Sequence, residues 1–558
     1  MHSIWNDRFA RALFLLLLVL LGVYLFGLGS YGLIDPDEGR YAEVAREMLE
    51  TGDYITPHLN YVKFFDKPAL SYWMTALSFR LFGVNEFAGR LSPVISAMLG
   101  MLVLYFLASE MYGRRTGLMV ALVAGTSFLY FIVSHIVSTD MPVTFFIALS
   151  LAGFYISYLR SGSYLLFHCG MALALLSKGL IGILFPCAVV FLWLALTGKW
   201  ELLKNVVSFR GIALFLVIAV PWFAAVCRAN PGFFHYFFVR QHFVRYLTTA
   251  DDRYQPFWFF VPIVLAGFIP WTGFMLVALK RGLLSFWKDR KGNGEGELFL
   301  MLWFGVVFLF FSMSGSKLVP YIVPAFPPLA VLTGAAAENF MACDGTCDSG
   351  RWPVTLSSIS AILFAVLVLV ASLVQKDYPL SALLPAVAAI SGTFTAGTVA
   401  MICLWKRGRR KGTVAVLVAL GFVNCAAAGL LFGVYSTGHS SKAVAEFINS
   451  RKNPGDMVVQ LRGFDQGLPF YLHQRVVLLT HSQDMDFGDE HETDRSWFID
   501  MADLKKLWNG DGRIFLVAGA GQSAEVESLG GGKYEAPAVL GKKKVYLNAP
   551  VTPKGRCR

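Results

Sequence analysis

Asp37, Glu38, Arg40, Tyr41 and Glu43 crowd together just after a long apolar run, so two acids meet a fixed cation where the chain leaves a membrane. Charge at bilayer depth is costly, and acids held there beside an arginine bind or transform something polar. The structural alternative is an amphipathic helix capped by Asp37, with Glu38 in its first turn, resting on the headgroups. Function is the better reading, because comparable clusters recur after other apolar runs. They are Asp66-Lys67-Pro68, Ser138-Thr139-Asp140, Ser177-Lys178-Gly179, and the loop 229–256, which carries His235, Tyr236, Arg240, Gln241, His242, Arg245 and Tyr246. The last is Ser314 to Tyr321, which carries Lys317.

Each cluster has a structural and a chemical reading. The proline after Lys67 fixes a bend that holds the ammonium at the membrane surface, where it could simply contact headgroups. Asp140 lies beside a proline at a helix start and could be an N-cap. Lys178 breaks two apolar helices, which points it at an anion. Arg245 and its neighbours combine planar guanidinium forks, which grip phosphate, with aromatics that line a lipid chain. The lone histidines suit interfacial hydrogen bonding better than metal binding. Four cations in separate loops, opposed by carboxylates, suggest a site for a phosphorylated lipid.

The elements that must position these residues are mostly membrane helices. The chain has 558 residues, is 56% hydrophobic and only 15% charged, and has a mean hydropathy of +0.56. A soluble chain could not bury that much apolar surface. Runs able to cross a bilayer predict thirteen spans, near 12–30, 88–109, 116–134, 141–159, 163–177, 180–197, 210–228, 257–279, 297–313, 318–336, 354–374, 380–404 and 413–434. The first run is too long for a signal peptide and stays as a span. The segment 68–82 is short, carries Arg80, and is assigned to the surface.

With that choice Arg8, Arg114, Arg115, Arg160, Lys199, Lys204, the cations of 280–291, Arg351 and those of 406–411 share one side. By the positive-inside pattern that side is cytoplasmic. Asp37, Lys67, Asp140, Lys178, loop 229–256, Lys317 and everything after Tyr435 fall outside. The net charge of +11 thus reports orientation and not nucleic-acid binding.

The expected organisation is a transmembrane region 1–436 with external loops 31–87 and 229–256, followed by an external soluble α/β domain at 437–558. In that domain helical patterns cover 442–449 and 501–508, and β-type runs cover 457–461, 475–479, 513–517 and 544–547. Gly519-Ala520-Gly521 lacks the Lys-Ser/Thr of a phosphate loop. The eight cysteines show no disulfide framework, and Cys343 and Cys347 read as reduced thiols.

Asp37-Glu38-Gly39-Arg40-Tyr41-Ala42-Glu43, Phe65-Asp66-Lys67-Pro68 and Gly83-Val84-Asn85-Glu86-Phe87-Ala88-Gly89-Arg90 closely resemble the bacterial 4-amino-4-deoxy-L-arabinose lipid A transferases. So do Ser138-Thr139-Asp140, Ser177-Lys178-Gly179 and Gly315-Ser316-Lys317-Leu318-Val319-Pro320-Tyr321. These are C-type, polyprenyl-phosphate-sugar-dependent glycosyltransferases related to protein O-mannosyltransferases. The resemblance implies a polytopic α-helical fold of about thirteen transmembrane helices with a small periplasmic α/β domain, in a bacterial inner membrane. It implies transfer of the sugar from undecaprenyl phosphate to a lipid A phosphate at the periplasmic face.

It also implies site residues. Asp37 looks like the essential acid, Lys67 and Asp140 like further catalytic residues, and Tyr41, Lys178, Arg245, Lys317 and Tyr321 like binders of the donor phosphate. No cofactor is required. Family members can hold zinc near the acid before Lys-Pro, which here is Asp66 in place of a longer Glu. The implied partners are the undecaprenyl-linked sugar, lipid A or another periplasmic acceptor, and membrane lipids. Transfer of another polyprenyl-linked sugar, such as a hexose or galacturonic acid, to lipopolysaccharide or protein stays open. A non-catalytic lipid transporter would use the same cations, but no internal repeat supports it.

Overall fold

The computed structural model describes residues 7–244, 254–288, 294–343, 351–479, 496–530 and 536–548. Each of the thirteen predicted spans falls on an apolar helix or a pair of helices. Among the described residues nine helices are long and apolar enough to cross a membrane. A tenth is added if Arg114–Thr126 and Phe128–Ser134, bent by 64°, count as one. Leu165–Lys178, Ile181–Thr197 and Phe257–Gly267 are shorter apolar helices. The run 257–279 is interrupted: one helix stops at Gly267, Pro270 removes a backbone donor, and the next runs Thr272–Lys288. The chain is a multi-pass membrane protein. Leu70–Phe82, left out of the predicted spans, is a helix of 13 residues, too short to cross.

The chain divides into two compact units. The first comprises residues 1–28, 67–71 and 90–432. Its interior is apolar and aromatic, and several of the polar atoms buried there find partners. The indole N–H of Trp271 donates to Thr126 Oγ1 at 2.9 Å, and those of Trp303 and Trp193 donate to the carbonyls of Pro324 and Glu295 at 3.1 Å. His135 sits between the carbonyls of Phe131 and Tyr24, a buried hydrogen-bonder.

The second unit comprises residues 29–66, 72–89 and 433–558, so the first loop folds with the C-terminal segment. It is built on a five-stranded mixed sheet. Across the sheet the strands run Val477–Leu478, Met457–Gln460, Ile514–Gly519, Lys543–Leu547 and Ala538–Leu540. The first three are parallel and the last two add antiparallel. Alternation along Ile514–Gly519 feeds two cores. Phe515 and Val517 pack with Val444, Ile448 and Trp497, whereas Ile514, Leu516 and Ala518 pack with Leu504, Trp508 and Tyr546.

Val62, from the small hairpin His58–Leu59/Val62–Lys63 of the first loop, lies in the first of these cores. At its turn Asn60 and Tyr61 both have left-handed backbone, φ 56° and 61°. Asn60 tolerates this, and its side-chain amide exchanges two 2.8 Å hydrogen bonds with the backbone of Val476. Strand Ala538–Leu540 and the helices Gly467–Leu472 and Ser523–Glu527 have no counterpart in the predicted elements. All are short, and the strand lies at the sheet edge.

Among the described residues five cysteines are free: Cys169, Cys187, Cys227, Cys403 and Cys425. Cys343, predicted as a reduced thiol, is instead disulfide-bonded. Two cysteines in one loop without a second pair carry no framework pattern from which this could be read. Cys347 lies outside the described residues.

Candidate active site

In the second unit the first cluster is organised by one helix, Asp37–Thr51. Pro36 occupies the N-cap and gives no side-chain cap. Glu38 reaches back to the preceding loop, taking a 2.9 Å hydrogen bond from the backbone N–H of Ile34. Asp37 is therefore not the cap, and its carboxylate is left for other work. It is 53% exposed and pairs at 3.3 Å with Arg40, one turn on, whose side chain is only 4% exposed.

The same guanidinium lies 3.9 Å from Asp66 Oδ2, which also accepts a 3.3 Å hydrogen bond from the Tyr41 hydroxyl. Burial pushes the Tyr41 phenol well above its ordinary pKa, so it stays a proton donor. One guanidinium between two carboxylates leaves the cluster with excess negative charge, facing solvent on the Asp37 side. That arrangement can receive an ammonium group or orient another cation.

Further along the helix Arg46 holds Glu43 at 2.6 and 2.8 Å, pairs with Glu50, and accompanies the Tyr61 hydroxyl at 3.2 Å. Glu47 accepts the Tyr61 backbone N–H, and burial with Glu43 nearby raises its pKa well above the usual range. These groups fix the face of the helix beneath the Asp37 end.

In the first unit a second cluster forms. Asp140 begins the helix Asp140–Arg160 and is not its cap, because Thr139 stands there. Its carboxylate forms an ion pair with Lys178, the last residue of Leu165–Lys178, both side chains being about nine-tenths buried. The Lys178 ammonium also lies 4.7 Å from the centre of the Tyr321 ring, within cation–π reach. At a helix C-terminus a lysine is favoured by the dipole as well, so part of its role is structural. The Ser71 hydroxyl donates to the carbonyl of Ser177 at 3.4 Å, which sets the segment that begins at Lys67 beside the Lys178 turn. Asp140, Lys178 and Tyr321 thus come together, with the Lys67 segment at their side.

Lys317 has a different occupation. Its ammonium donates to the carbonyls of Gln255 and Ser314 at 2.8 and 2.6 Å, tying two loops, and burial lowers its pKa. Arg245 lies outside the described residues. Arg40 is the residue that sequence reasoning left out of the site. Its spacing of three from Asp37 on a helix was the available signal.

Asp66 Oδ2 faces the Arg40 guanidinium at 3.9 Å and accepts the Tyr41 hydroxyl at 3.3 Å, so this oxygen is engaged by protein groups. No group of three His, Cys, Asp or Glu side chains able to hold a metal occurs among the described residues.

Residues 66–224 match the family of dolichyl-phosphate-mannose-protein mannosyltransferases, and residues 444–522 match the aminoarabinose transferase C-terminal domain. The chain is 33% identical over 368 residues to the undecaprenyl phosphate-alpha-4-amino-4-deoxy-L-arabinose arabinosyl transferase of Enterobacter sp. (strain 638), covering 63% of this chain and 65% of that one. The protein of that name from Erwinia tasmaniensis is 33% identical over 318 residues, covering 55% of this chain and 56% of its own length. The matched region therefore spans less than two thirds of these relatives. The crystal structure of ArnT from Cupriavidus metallidurans bound to undecaprenyl phosphate superposes with a TM-score of 0.84 at 26% identity, covering 96% of this chain and 97% of that one.

A multi-pass helical region whose loops carry paired acids and cations, followed in sequence by a small α/β subdomain, is an organisation similar to that of the glycosyltransferases related to protein O-mannosyltransferases. Among them, the chain is similar to the ArnT family of undecaprenyl phosphate–aminoarabinose transferases.

Proposed function

We propose that the protein transfers 4-amino-4-deoxy-L-arabinose from undecaprenyl phosphate to a phosphate of lipid A, at the periplasmic face of a bacterial inner membrane. The observation that carries this reading is the likeness, over 96% of the chain, to a structure solved with undecaprenyl phosphate. The Arg40-bridged carboxylates support it, because their excess negative charge suits a sugar bearing an ammonium group. The basic loops that charge parity groups on one side support the proposed orientation, with the N-terminus cytoplasmic.

In the proposed reaction an oxygen of the lipid A phosphate attacks the anomeric carbon. The bond from that carbon to the carrier phosphate breaks, and its electron pair leaves with undecaprenyl phosphate. The attacking phosphate is already anionic and needs no general base. Catalysis then rests on placement and on donors that meet the charge developing on the leaving phosphate. Lys67, Lys178 and Tyr321 are assigned to the carrier phosphate, with Arg245 as a further candidate. The two carbonyl bonds of Lys317 leave one N–H for such a role. Asp140 holds Lys178 in place, and Asp37 binds the sugar's ammonium and orients the ring.

The test is mass spectrometry of lipid A from a Gram-negative host that makes the carrier-linked sugar but lacks its own transferase. A pentosamine addition that depends on this chain supports the reading. Unmodified lipid A with the protein present in the membrane overturns it in favour of another polyprenyl-linked sugar or acceptor.

A further inference from the structure

Two residues before Asp37, the carboxylate of Asp35 is tied to the C-terminal segment at three points. It accepts 2.5 Å and 3.2 Å hydrogen bonds from the hydroxyl and backbone N–H of Ser441, and a 2.6 Å bond from the backbone N–H of Gly467. The Asp35 backbone N–H donates in turn to the carbonyl of His439 at 2.8 Å. One side chain thus collects the start of the helix Lys442–Asn449 and the start of the helix Gly467–Leu472.

Close packing reinforces this link. A Cβ on Gly39, in the first turn of the Asp37 helix, would stand 2.4 Å and 2.5 Å from the backbone N and Cα of Gly467 and 2.3 Å from Asp35 Oδ1. The two glycines let helix and subdomain touch backbone to backbone. Alongside, Glu86 receives Lys442 at 2.8 Å and the Tyr471 hydroxyl at 3.1 Å, and that hydroxyl also takes the backbone N–H of Leu33 at 2.7 Å. The strand of chain leading into Asp37 is therefore gripped on both sides by residues more than 400 positions later.

We propose that Asp35 is a positioning residue, through which Ser441 and Gly467 fix the first turn of the Asp37 helix, so that the C-terminal subdomain sets the orientation of Asp37. This rests on the reading of Asp37 as the acid that orients the sugar. A carboxylate that accepts three hydrogen bonds from two separate segments holds direction as well as distance. Asp37 itself is half exposed and, among the described residues, pairs with Arg40 on the same helix, so its aim depends on the helix that carries it.

The experiment compares the full-length wild-type protein with Asp35→Asn, Ser441→Ala and the double variant, reconstituted in lipid. It reads kcat and KM for the carrier-linked sugar, together with amide hydrogen exchange. Asparagine keeps one acceptor but presents an N–H₂ to a donor, whereas Ser441→Ala removes one donor without touching the first loop. The expected result is a kcat at least tenfold lower in each single variant, with KM within twofold of wild type. The double variant should be no worse than the weaker single, and the amides of Asp37 to Glu43 should exchange faster while those of Ile514 to Gly519 do not change.

Unchanged kcat, losses that multiply in the double variant, or unchanged exchange in the Asp37 helix would each overturn the proposal. A wild-type protein that transfers no aminoarabinose would overturn the proposed function instead, and the exchange arm would still decide whether the link holds the helix.

Discussion

Lys178 ends one helix where Asp140 begins another, and their ion pair closes the two helix ends on each other with Tyr321 at 4.7 Å from the ammonium. Both side chains are about nine-tenths buried. Removing one member leaves a buried uncompensated charge, a loss of about 3–5 kcal/mol, whereas removing both is far milder. Lys178→Met should therefore lower both the melting temperature and transfer. Adding Asp140→Asn should recover most of the melting temperature but not the transfer. Thermal unfolding in detergent, alongside the transfer assay, separates the two.

Asp37→Asn should leave membrane insertion and thermal stability nearly unchanged, because Asp37 is half exposed and Arg40 keeps Asp66 beside it. Transfer should fall by roughly 10²-fold or more if Asp37 meets the sugar's ammonium in the transition state. Lipid A mass spectrometry with immunoblotting of the membrane fraction reads both. Full activity would remove Asp37 from the mechanism.

Arg40→Lys should behave as a damaging change despite keeping the charge. The guanidinium serves Asp37 and Asp66 from different nitrogens, and a single ammonium cannot reach both. Transfer should drop by about tenfold or more, whereas Tyr41→Phe, which removes one hydrogen bond to Asp66, should cost much less. Steady-state kinetics on the three proteins would check the order.

Asp35 predicts a pH effect of definite sign. Burial and the facing carboxylate of Asp465 raise its pKa to about 7, although Ser441 and Gly467 pull it down. Asp465 is itself held by Lys543 at 2.7 Å. A carboxyl whose folded pKa lies above its unfolded value of about 3.9 contributes stability that is full at low pH and is lost as pH rises through about 7. The melting-temperature advantage of wild type over Asp35→Asn should accordingly shrink between pH 5 and pH 8. An advantage that grew over that range would contradict the assignment.

Much of this was open to sequence reasoning, for identifiable reasons. The membrane helices are long unbroken apolar runs, and the run 257–279 misled only because Pro270 splits it inside an apolar stretch that shows no polarity change. Asp37, Asp66 and Lys67 stand out because charge is rare in this composition. Residue types were legible but pairings were not: Asp140 and Lys178 are 38 positions apart, and nothing local in either says that one serves the other. Lys317 looked like a free cation because its partners, two backbone carbonyls, have no sequence signature. Asp35 carries no local signal of its role, since Ser441 lies 406 residues away.

The placement of Val62 in the sheet's core and of Asn60 on Val476 has a bearing on biogenesis. At roughly 5–20 residues per second, the 416 residues between Asn60 and Val476 separate synthesis of the first loop from synthesis of its partner by about 20–80 s. During that interval Val62 has no sheet core to enter, and Asp35 lacks Ser441 and Gly467. The loop bearing Asp37 gains these links only after every membrane helix has been made, so a chain that stalls or is cut short before then lacks them.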